Sequence, residues 1–129
     1  MKVATWNVNG IRARQDQVQN YIEQEQPDVL CLQEIKAALE QLPIWLCNVE
    51  GYNCYWHGGK GYSGVAMLVR ESTFPERPAF HHPHFDFEHR IVTARLPDVT
   101  VASIYVPNGG KDFPAKMRFL RSEEHTSEL

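Results

Sequence analysis

The residues best placed to do chemistry are Glu34 and Asn7, each of which follows a predicted strand. Residues 29–32 form a short apolar run between polar neighbours, the pattern of a strand buried on both faces. Side chains at the carboxyl ends of such strands point into the crevice where open α/β sheets bind ligands. A carboxylate and an amide oxygen can bind Mg²⁺ beside waters and substrate phosphates. The pair indicates a metal site, although a loop glutamate and a turn asparagine without a ligand fit the same pattern.

The elements that must position this pair form a strand, a helix and a second strand. Residues 3–6 predict the first strand, and Asn7 then opens an Asn- and Gly-rich turn. The apolar spacing over residues 11–24 predicts a surface helix, and residues 28–33 form the second strand. This order favours a parallel βαβ unit, in which Asn7 and Glu34 lie at the same edge of the sheet.

Further along, two strand pairs are predicted around loops rich in glycine, proline and histidine. The predicted elements are a short helix over 37–47 interrupted at Pro43, strands 52–56 and 65–69, an extended loop over 71–89, strands 91–96 and 100–105, and a helix over 113–120 with Asp112 as N-cap. Tyr105 ends the last strand, where it is either a packed aromatic side chain or a hydroxyl that contacts a phosphate. The histidines of the long loop lack metal-ligand spacing and are expected to be solvated.

Composition bounds the class of protein. The 129 residues suit one domain, and the net charge of −3 excludes a global basic field of the kind that attracts nucleic acid. No apolar run is long enough for a membrane helix, so no membrane partner is expected. The first residues lack a signal-peptide core, which predicts a cytoplasmic protein. Three cysteines without a CxxC pair predict buried thiols in a reducing compartment.

The last nine residues differ from the rest of the chain. Residues 121–129, RSEEHTSEL, resemble the translation of a sequencing adapter. They are expected to be a non-native tail and are excluded from the fold prediction, which divides the chain into 1–120 and 121–129.

Six segments together resemble the exonuclease III branch of the AP-endonuclease family, within the endonuclease/exonuclease/phosphatase fold. They are TWNVNGIRA at 5–13, QPDVLCLQEIK at 26–36, GYSGVA at 61–66, RIV at 90–92, YVPNG at 105–109 and FPAK at 113–116. They occur in the family's order and cover the chain up to residue 120. The resemblance implies an α/β fold, the N-terminal half of the family's four-layer α/β sandwich with a DNase I-like architecture.

The resemblance also implies roles for individual residues. Glu34 matches the metal-binding glutamate, Asn7 an asparagine that helps to hold Mg²⁺ (or Mn²⁺), and Asn9 a nearby polar ligand. Tyr105 matches the active-site tyrosine that approaches the scissile phosphate. Residues matching those that contact the DNA backbone or the abasic site are Arg12, Tyr62, Arg90 and Asn108. The implied reaction is magnesium-dependent hydrolysis of double-stranded DNA at abasic sites and 3′ ends, by a monomeric parent enzyme.

The chain departs from the family pattern in what it lacks. The family's second half carries a Gly-Asp-Xaa-Asn motif, a further aspartate and a Ser-Asp-His motif, and none of them occurs here. The 129-residue chain is therefore predicted to be a truncated, inactive piece of the enzyme. We also expect it to expose a sheet face and a sheet edge, and to fold poorly or oligomerise.

Two other function classes remain open. A phosphatase acting on inositol phosphates or lipids would have the same fold, but the matches at Arg12, Tyr62 and Asn108 favour DNA. A non-catalytic nucleic-acid-binding module would use cations such as Lys60 and Lys111 beside Arg12 and Arg90, and the negative net charge disfavours it.

Overall fold

The chain folds around two β-sheets that pack face to face. The computed structural model describes residues 1–59, 61–86 and 88–107, together with 114, 116 and 117. The first sheet has the strand order β1-β2-β4-β3, and the second has the order β5-β6-β7. The strands are β1 (Val3–Asn7), β2 (Val29–Gln33), β3 (Tyr52–His57), β4 (Val65–Arg70), β5 (Ala79–His81), β6 (Ile91–Arg95) and β7 (Thr100–Ile104).

The predicted βαβ unit is confirmed. Strands β1 and β2 are parallel, with Asn7 opposite Gln33, and helix α1 (Ile11–Glu25) connects them. The helix begins after Gly10, whose φ of 99° suits a residue without a Cβ atom. Because no side chain caps this end, its backbone donors need other partners. Ile11 N–H donates to the Ile35 carbonyl at 3.0 Å, so the helix start is bonded to the segment that follows β2.

The downstream predictions hold with two corrections. Strands β3 and β4 form one antiparallel pair and β6 and β7 another, as predicted. The interruption predicted at Pro43 is confirmed, because helix α2 at Ile44–Cys47 begins after this proline, but the piece before it is a 3₁₀ turn at Leu39–Gln41 rather than an α-helix. The long loop predicted over 71–89 contains β5, a short strand that adds to the free edge of β6.

Alternate side chains of the first sheet enter two different cores. Leu30, Leu32 and Leu68 pack toward helix α1, whereas Cys31 and Met67 face the second sheet. Every residue of β2 is buried, which confirms the prediction of a strand covered on both faces. Burying each large apolar side chain of β2 contributes about 1.5–3 kcal/mol, so this strand is firmly anchored in the sheet.

A polar bridge joins the two sheets inside the second core. The Ser103 hydroxyl of β7 donates to the Leu32 carbonyl at 3.2 Å and accepts from Gln33 Nε2 at 3.1 Å. Gln33 Nε2 also donates to the Thr5 hydroxyl of β1 at 3.0 Å. Because Ser103 and Gln33 are both buried, these bonds fix where β7 lies across the ends of β1 and β2.

The sheet face that the sequence predicted to be uncovered is mostly covered. Strands β6 and β7 bury the inner faces of β2 and β4, so the expectation fails for the centre of the first sheet. It holds for β1, where Val3 on the same face is 48% exposed. Of the three cysteines, Cys31 is buried, and burial raises its pKa to about 11, but Cys47 is exposed, contrary to prediction.

Two sequence predictions concern residues that are largely outside the described part of the chain. Of the helix predicted over 113–120, only Pro114, Lys116 and Met117 are described, and they are helical. The 121–129 tail lies entirely outside it. Among the described residues, no helix has both the length and the apolar character needed to cross a membrane.

Candidate metal and phosphate site

The predicted metal ligands lie side by side at the carboxyl edge of the first sheet. Asn7 is opposite Gln33, so the side chains of Asn7 and Glu34 come from the ends of two hydrogen-bonded strands. Asn7 Oδ1 accepts from the Asn9 N–H at 3.1 Å, which closes the turn after β1 and fixes the amide. The Glu34 side chain is 20% exposed, so the carboxylate can still be reached from solvent.

The segment after β2 has an unusual backbone. Glu34 and Lys36 have φ values of 54° and 52°, in the left-handed region that residues with a Cβ atom seldom adopt. Such conformations persist only where surrounding contacts hold them, and they cluster at functional sites.

Hydrogen bonds from two sides hold this segment in place. On one side, Gly10 N–H donates to the Glu34 carbonyl at 2.8 Å. On the other side, Ile35 N–H donates to the Gly64 carbonyl at 3.1 Å, and Lys36 N–H donates to Ser63 at 2.8 Å. The carboxylate is therefore carried on backbone that is bonded both to the β1 turn and to the loop before β4.

Lys36 contacts both ends of the predicted metal site. Its Nζ atom lies 2.7 Å from Asn9 Oδ1 and 3.4 Å from Glu34 Oε1. Arg12, the first-turn residue predicted to contact DNA, donates through Nη2 to the Lys36 carbonyl at 3.4 Å. Lys36 thus lies beside the Glu34 carboxylate, and Arg12 binds the backbone of Lys36.

The second sheet brings Arg90 and Tyr105 to the same region. The Arg90 guanidinium lies over the Tyr105 ring, 4.8 Å from its centroid, and Tyr105 N–H donates to the Arg90 carbonyl at 2.9 Å. Arg90 Nε lies 3.5 Å from Glu88 Oε1 without forming a hydrogen bond, and Nε and Nη1 are both buried without a hydrogen-bond partner among the described residues. Buried donors of this kind call for an acceptor, and an anionic oxygen would satisfy them.

The loop before β4 connects the two halves of this region. Gly64 N–H and the Ser63 hydroxyl both donate to the His89 carbonyl, at 3.1 and 3.2 Å, next to Arg90 in the chain. Since Ser63 and Gly64 also bind Lys36 and Ile35, one continuous set of hydrogen bonds runs from the residues that follow Glu34 to His89, which precedes Arg90. Tyr62, next to Ser63, is 48% exposed at this junction.

A buried carboxylate that sequence reasoning missed anchors the Arg90 backbone. Asp86 accepts from the backbone N–H groups of Arg90 and Ile91 at 2.8 and 3.0 Å, and its Oδ2 lies 2.8 Å from His57 Nε2. The Asp86 side chain is 1% exposed. Burial alone would raise the pKa of this carboxyl, but the hydrogen bonds from His57 and the two amides outweigh burial and lower it.

Three of the four loop histidines, His81, His82 and His84, are exposed as predicted, and His89 is half-buried. His82 stacks on His57 with ring centroids 4.0 Å apart, and His89 contacts His57 edge-on at 4.8 Å. Burial, with His57 nearby, lowers the pKa of His82 and so favours its neutral form. Within the described part of the chain, no three His, Cys, Asp or Glu side chains form a metal-binding group.

The structure therefore brings most of the predicted site residues together. Those joined by the contacts above are Asn7, Asn9, Arg12, Glu34, Arg90 and Tyr105, and the exposed Tyr62 precedes Ser63 in the loop between them. Asn108, predicted to contact DNA, lies outside the described residues. The oxygen donors of Asn7 and Glu34 fit part of a Mg²⁺ site, since that ion accepts one or two protein oxygens beside waters and phosphates.

The comparisons with known proteins agree with this architecture. Residues 4–126 match the model of the Endonuclease/Exonuclease/phosphatase family, so the chain belongs to that family. It is 39% identical over 128 residues to exodeoxyribonuclease III of Haemophilus influenzae, covering 92% of this chain and 48% of that protein. It is 37% identical over 116 residues to the DNA repair nuclease APEX1 of Danio rerio, covering 86% of this chain and 37% of that protein.

Solved structures show the same correspondence. The 3′-5′ exonuclease NExo from Neisseria meningitidis matches with a TM-score of 0.76 and 34% identity, over 96% of this chain and 48% of that one. An AP endonuclease from Archaeoglobus fulgidus matches with a TM-score of 0.81 and 29% identity, over 97% of this chain and 50% of that one. The fold is thus the α/β, DNase I-like one that the sequence predicted, and the chain spans half or less of these relatives' length.

Proposed function

We propose that this chain is the N-terminal half of a magnesium-dependent DNA repair nuclease. The whole enzyme would hydrolyse phosphodiester bonds at abasic sites and at 3′ ends. The observation that carries this proposal is the hydrogen-bonded junction between Glu34 and Arg90. A carboxylate suited to a divalent cation lies near one end, and near the other lies a buried cation with two N–H groups that lack a hydrogen-bond partner among the described residues. A DNA phosphate between them would complement both.

The chain's own residues would bind and orient that phosphate. Mg²⁺ held by Glu34 and Asn7 would neutralise charge on the phosphate and polarise it for attack by water. Arg90 would donate its unpaired N–H groups to a phosphate oxygen, and Tyr105, held against the guanidinium, would direct its hydroxyl to the same group. The Tyr105 N–H to Arg90 carbonyl bond fixes the backbone of both residues, so only side-chain movement is needed to expose the buried Arg90 N–H groups to the phosphate.

The substrate class is supported by the relatives and by the surface around the junction. A second structure, of the 3′ phosphatase NExo from Neisseria bound to a product DNA hairpin, matches with 35% identity and a TM-score of 0.74. In this chain, Arg12 and the exposed Tyr62 border the Glu34 site, where they would contact the DNA backbone beside the reacting phosphate, with Asn108 as a further contact.

The isolated 129-residue chain is expected to lack activity, because it has half of the site. No detectable cleavage is expected when it is incubated with Mg²⁺ and a fluorescent duplex that contains one abasic site, or with a hairpin that ends in a 3′ phosphate. The positive control is a longer chain in which residues 1–120 are continued by the second half of the Haemophilus influenzae relative. Mg²⁺-dependent cleavage by the 129-residue chain itself would contradict this expectation.

Arg90 provides a binding test that does not depend on catalysis. In the 129-residue chain, Arg90→Ala is expected to weaken binding to the abasic duplex about tenfold at low salt and to reduce the salt slope by about one. The matched control is Arg95→Ala, which removes an exposed arginine from the same strand region and should leave affinity unchanged. Circular dichroism would verify that both variants fold.

The same titration distinguishes the competing functions. If the unsubstituted 129-residue chain did not bind the duplex at low salt, this result would contradict a nucleic-acid-binding module. Equal losses for Arg90→Ala and Arg95→Ala would indicate a diffuse charge effect and would contradict the proposed phosphate contact. Preference for an inositol phosphate over the duplex would favour the phosphatase alternative.

A further inference from the structure

Lys36 lies where it can act on the metal site directly. Its ammonium group contacts Glu34 Oε1 at 3.4 Å and Asn9 Oδ1 at 2.7 Å. We propose that Lys36 is a resident cation that competes with the divalent metal for Glu34 and thereby sets the metal affinity. This inference rests on the proposed function, because it takes Glu34 to be a metal ligand.

The backbone keeps Lys36 close to the carboxylate. Glu34 and Lys36 are two residues apart and both left-handed, with Ile35 buried between them. Backbone bonds from Lys36 to Ser63 and from Ile35 to Gly64 prevent the segment from swinging away. The Lys36 side chain is 40% exposed, so it can move toward solvent when a stronger cation arrives.

Competition follows from the chemistry of the contacts. An ammonium has three donors and no acceptor, so it binds the same carboxylate oxygens that a metal would bind. A unit positive charge a few ångströms away also repels a divalent ion, and water and salt reduce this repulsion without removing it at such short range. The second contact, to Asn9, gives the displaced ammonium a nearby acceptor. A divalent cation that binds Glu34 therefore has to displace the Lys36 ammonium group.

The test measures Mn²⁺ binding by the 129-residue chain, and electron paramagnetic resonance gives the concentration of free Mn²⁺. Lys36→Met removes the charge but keeps an unbranched side chain, and it is expected to tighten Mn²⁺ binding about fivefold to tenfold. Lys36→Arg keeps the charge and should stay within about twofold of the parent chain. The matched control is Lys2→Met, which removes a lysine paired with Glu25 at the opposite end of β1.

A second readout uses stability. Because a ligand that binds only the folded state stabilises it according to its affinity, Mn²⁺ should raise the melting temperature of Lys36→Met more than that of the parent. Unchanged or weaker Mn²⁺ binding in Lys36→Met would overturn the inference, as would equal tightening in Lys2→Met. Glu34→Gln distinguishes a failure of the proposed metal site from a failure of the role proposed for Lys36. If it leaves Mn²⁺ binding intact, the proposed metal site falls together with this inference. If it abolishes binding while Lys36→Met changes nothing, only the role of Lys36 is wrong.

Discussion

Replacing Asp86 with alanine is expected to lower the free energy of unfolding by about 3–4 kcal/mol, a large effect for a residue outside the proposed metal site. The substitution removes a buried acceptor from two backbone N–H groups, those of Arg90 and Ile91, and removes the partner of His57. Groups left buried without a partner lose their hydration in the folded state without compensation. The turn that carries Arg90 should loosen with them, so DNA binding should weaken as well.

Urea unfolding followed by circular dichroism measures this loss. Asp98→Ala is the matched control, since it removes the same group from the exposed turn between β6 and β7 and should cost less than about 0.5 kcal/mol. Asp86→Asn should fall between the parent and Asp86→Ala, because one amide oxygen can still accept a backbone N–H. A loss in Asp86→Ala no larger than in Asp98→Ala would show that the network is not formed in solution.

The lowered pKa of Asp86 predicts how its contribution to stability depends on pH. Its carboxyl has a lowered pKa in the folded chain, compared with the ordinary value of 3.8. The carboxylate therefore contributes stability above about pH 4, and that contribution is lost as the pH falls below 3.8 through the lower, folded-state value. The stability difference between the parent and Asp86→Asn should accordingly narrow in this acidic range.

The sequence predicted the parts of the fold that depend on local pattern. The run at 29–32 could be assigned to a doubly buried strand because apolar residues fill it between polar neighbours, and β2 is that strand. The position of Glu34 beside Asn7 followed from the parallel connection alone. The metal role of Glu34 was suggested by its place beside Asn7 and then by the resemblance, whereas the DNA contacts came from the resemblance alone, and both are proposals.

The sequence could not predict contacts between residues that are far apart in the chain and lie in segments without a distinctive sequence pattern. Asp86 lies in a loop rich in proline and histidine, and nothing local shows that its partner is His57, 29 residues earlier. Strand β5 is short and follows a proline, so its pairing with β6 leaves no periodic signal. Lys36 was included in a matching motif without a role, because its contact with Asn9 depends on how the β1 turn folds back.

Gly64 couples the fold to the proposed site. Its φ is 91°, and a Cβ atom there would lie 3.1 Å from the Cβ of Ile35. Ile35 cannot move away easily, since it is buried and its N–H donates to the Gly64 carbonyl at 3.1 Å. Gly64→Ala therefore combines backbone strain with a close contact, and it is expected to lower the free energy of unfolding by about 2–3 kcal/mol.

The same substitution should also weaken the proposed metal site, which a purely local loop defect would not do. To relieve the contact, Ile35 has to shift, and because Glu34 is its neighbour in a backbone held from both sides, the Glu34 carboxylate has to shift with it. Mn²⁺ affinity should therefore fall at least about tenfold. Gly61→Ala is the matched control: no atom lies within 4 Å of its would-be Cβ, and its stability and Mn²⁺ affinity should match the parent. If Gly64→Ala lost stability but kept full Mn²⁺ affinity, the loop before β4 would not position Glu34. The hydrogen bonds between them would then serve the fold alone.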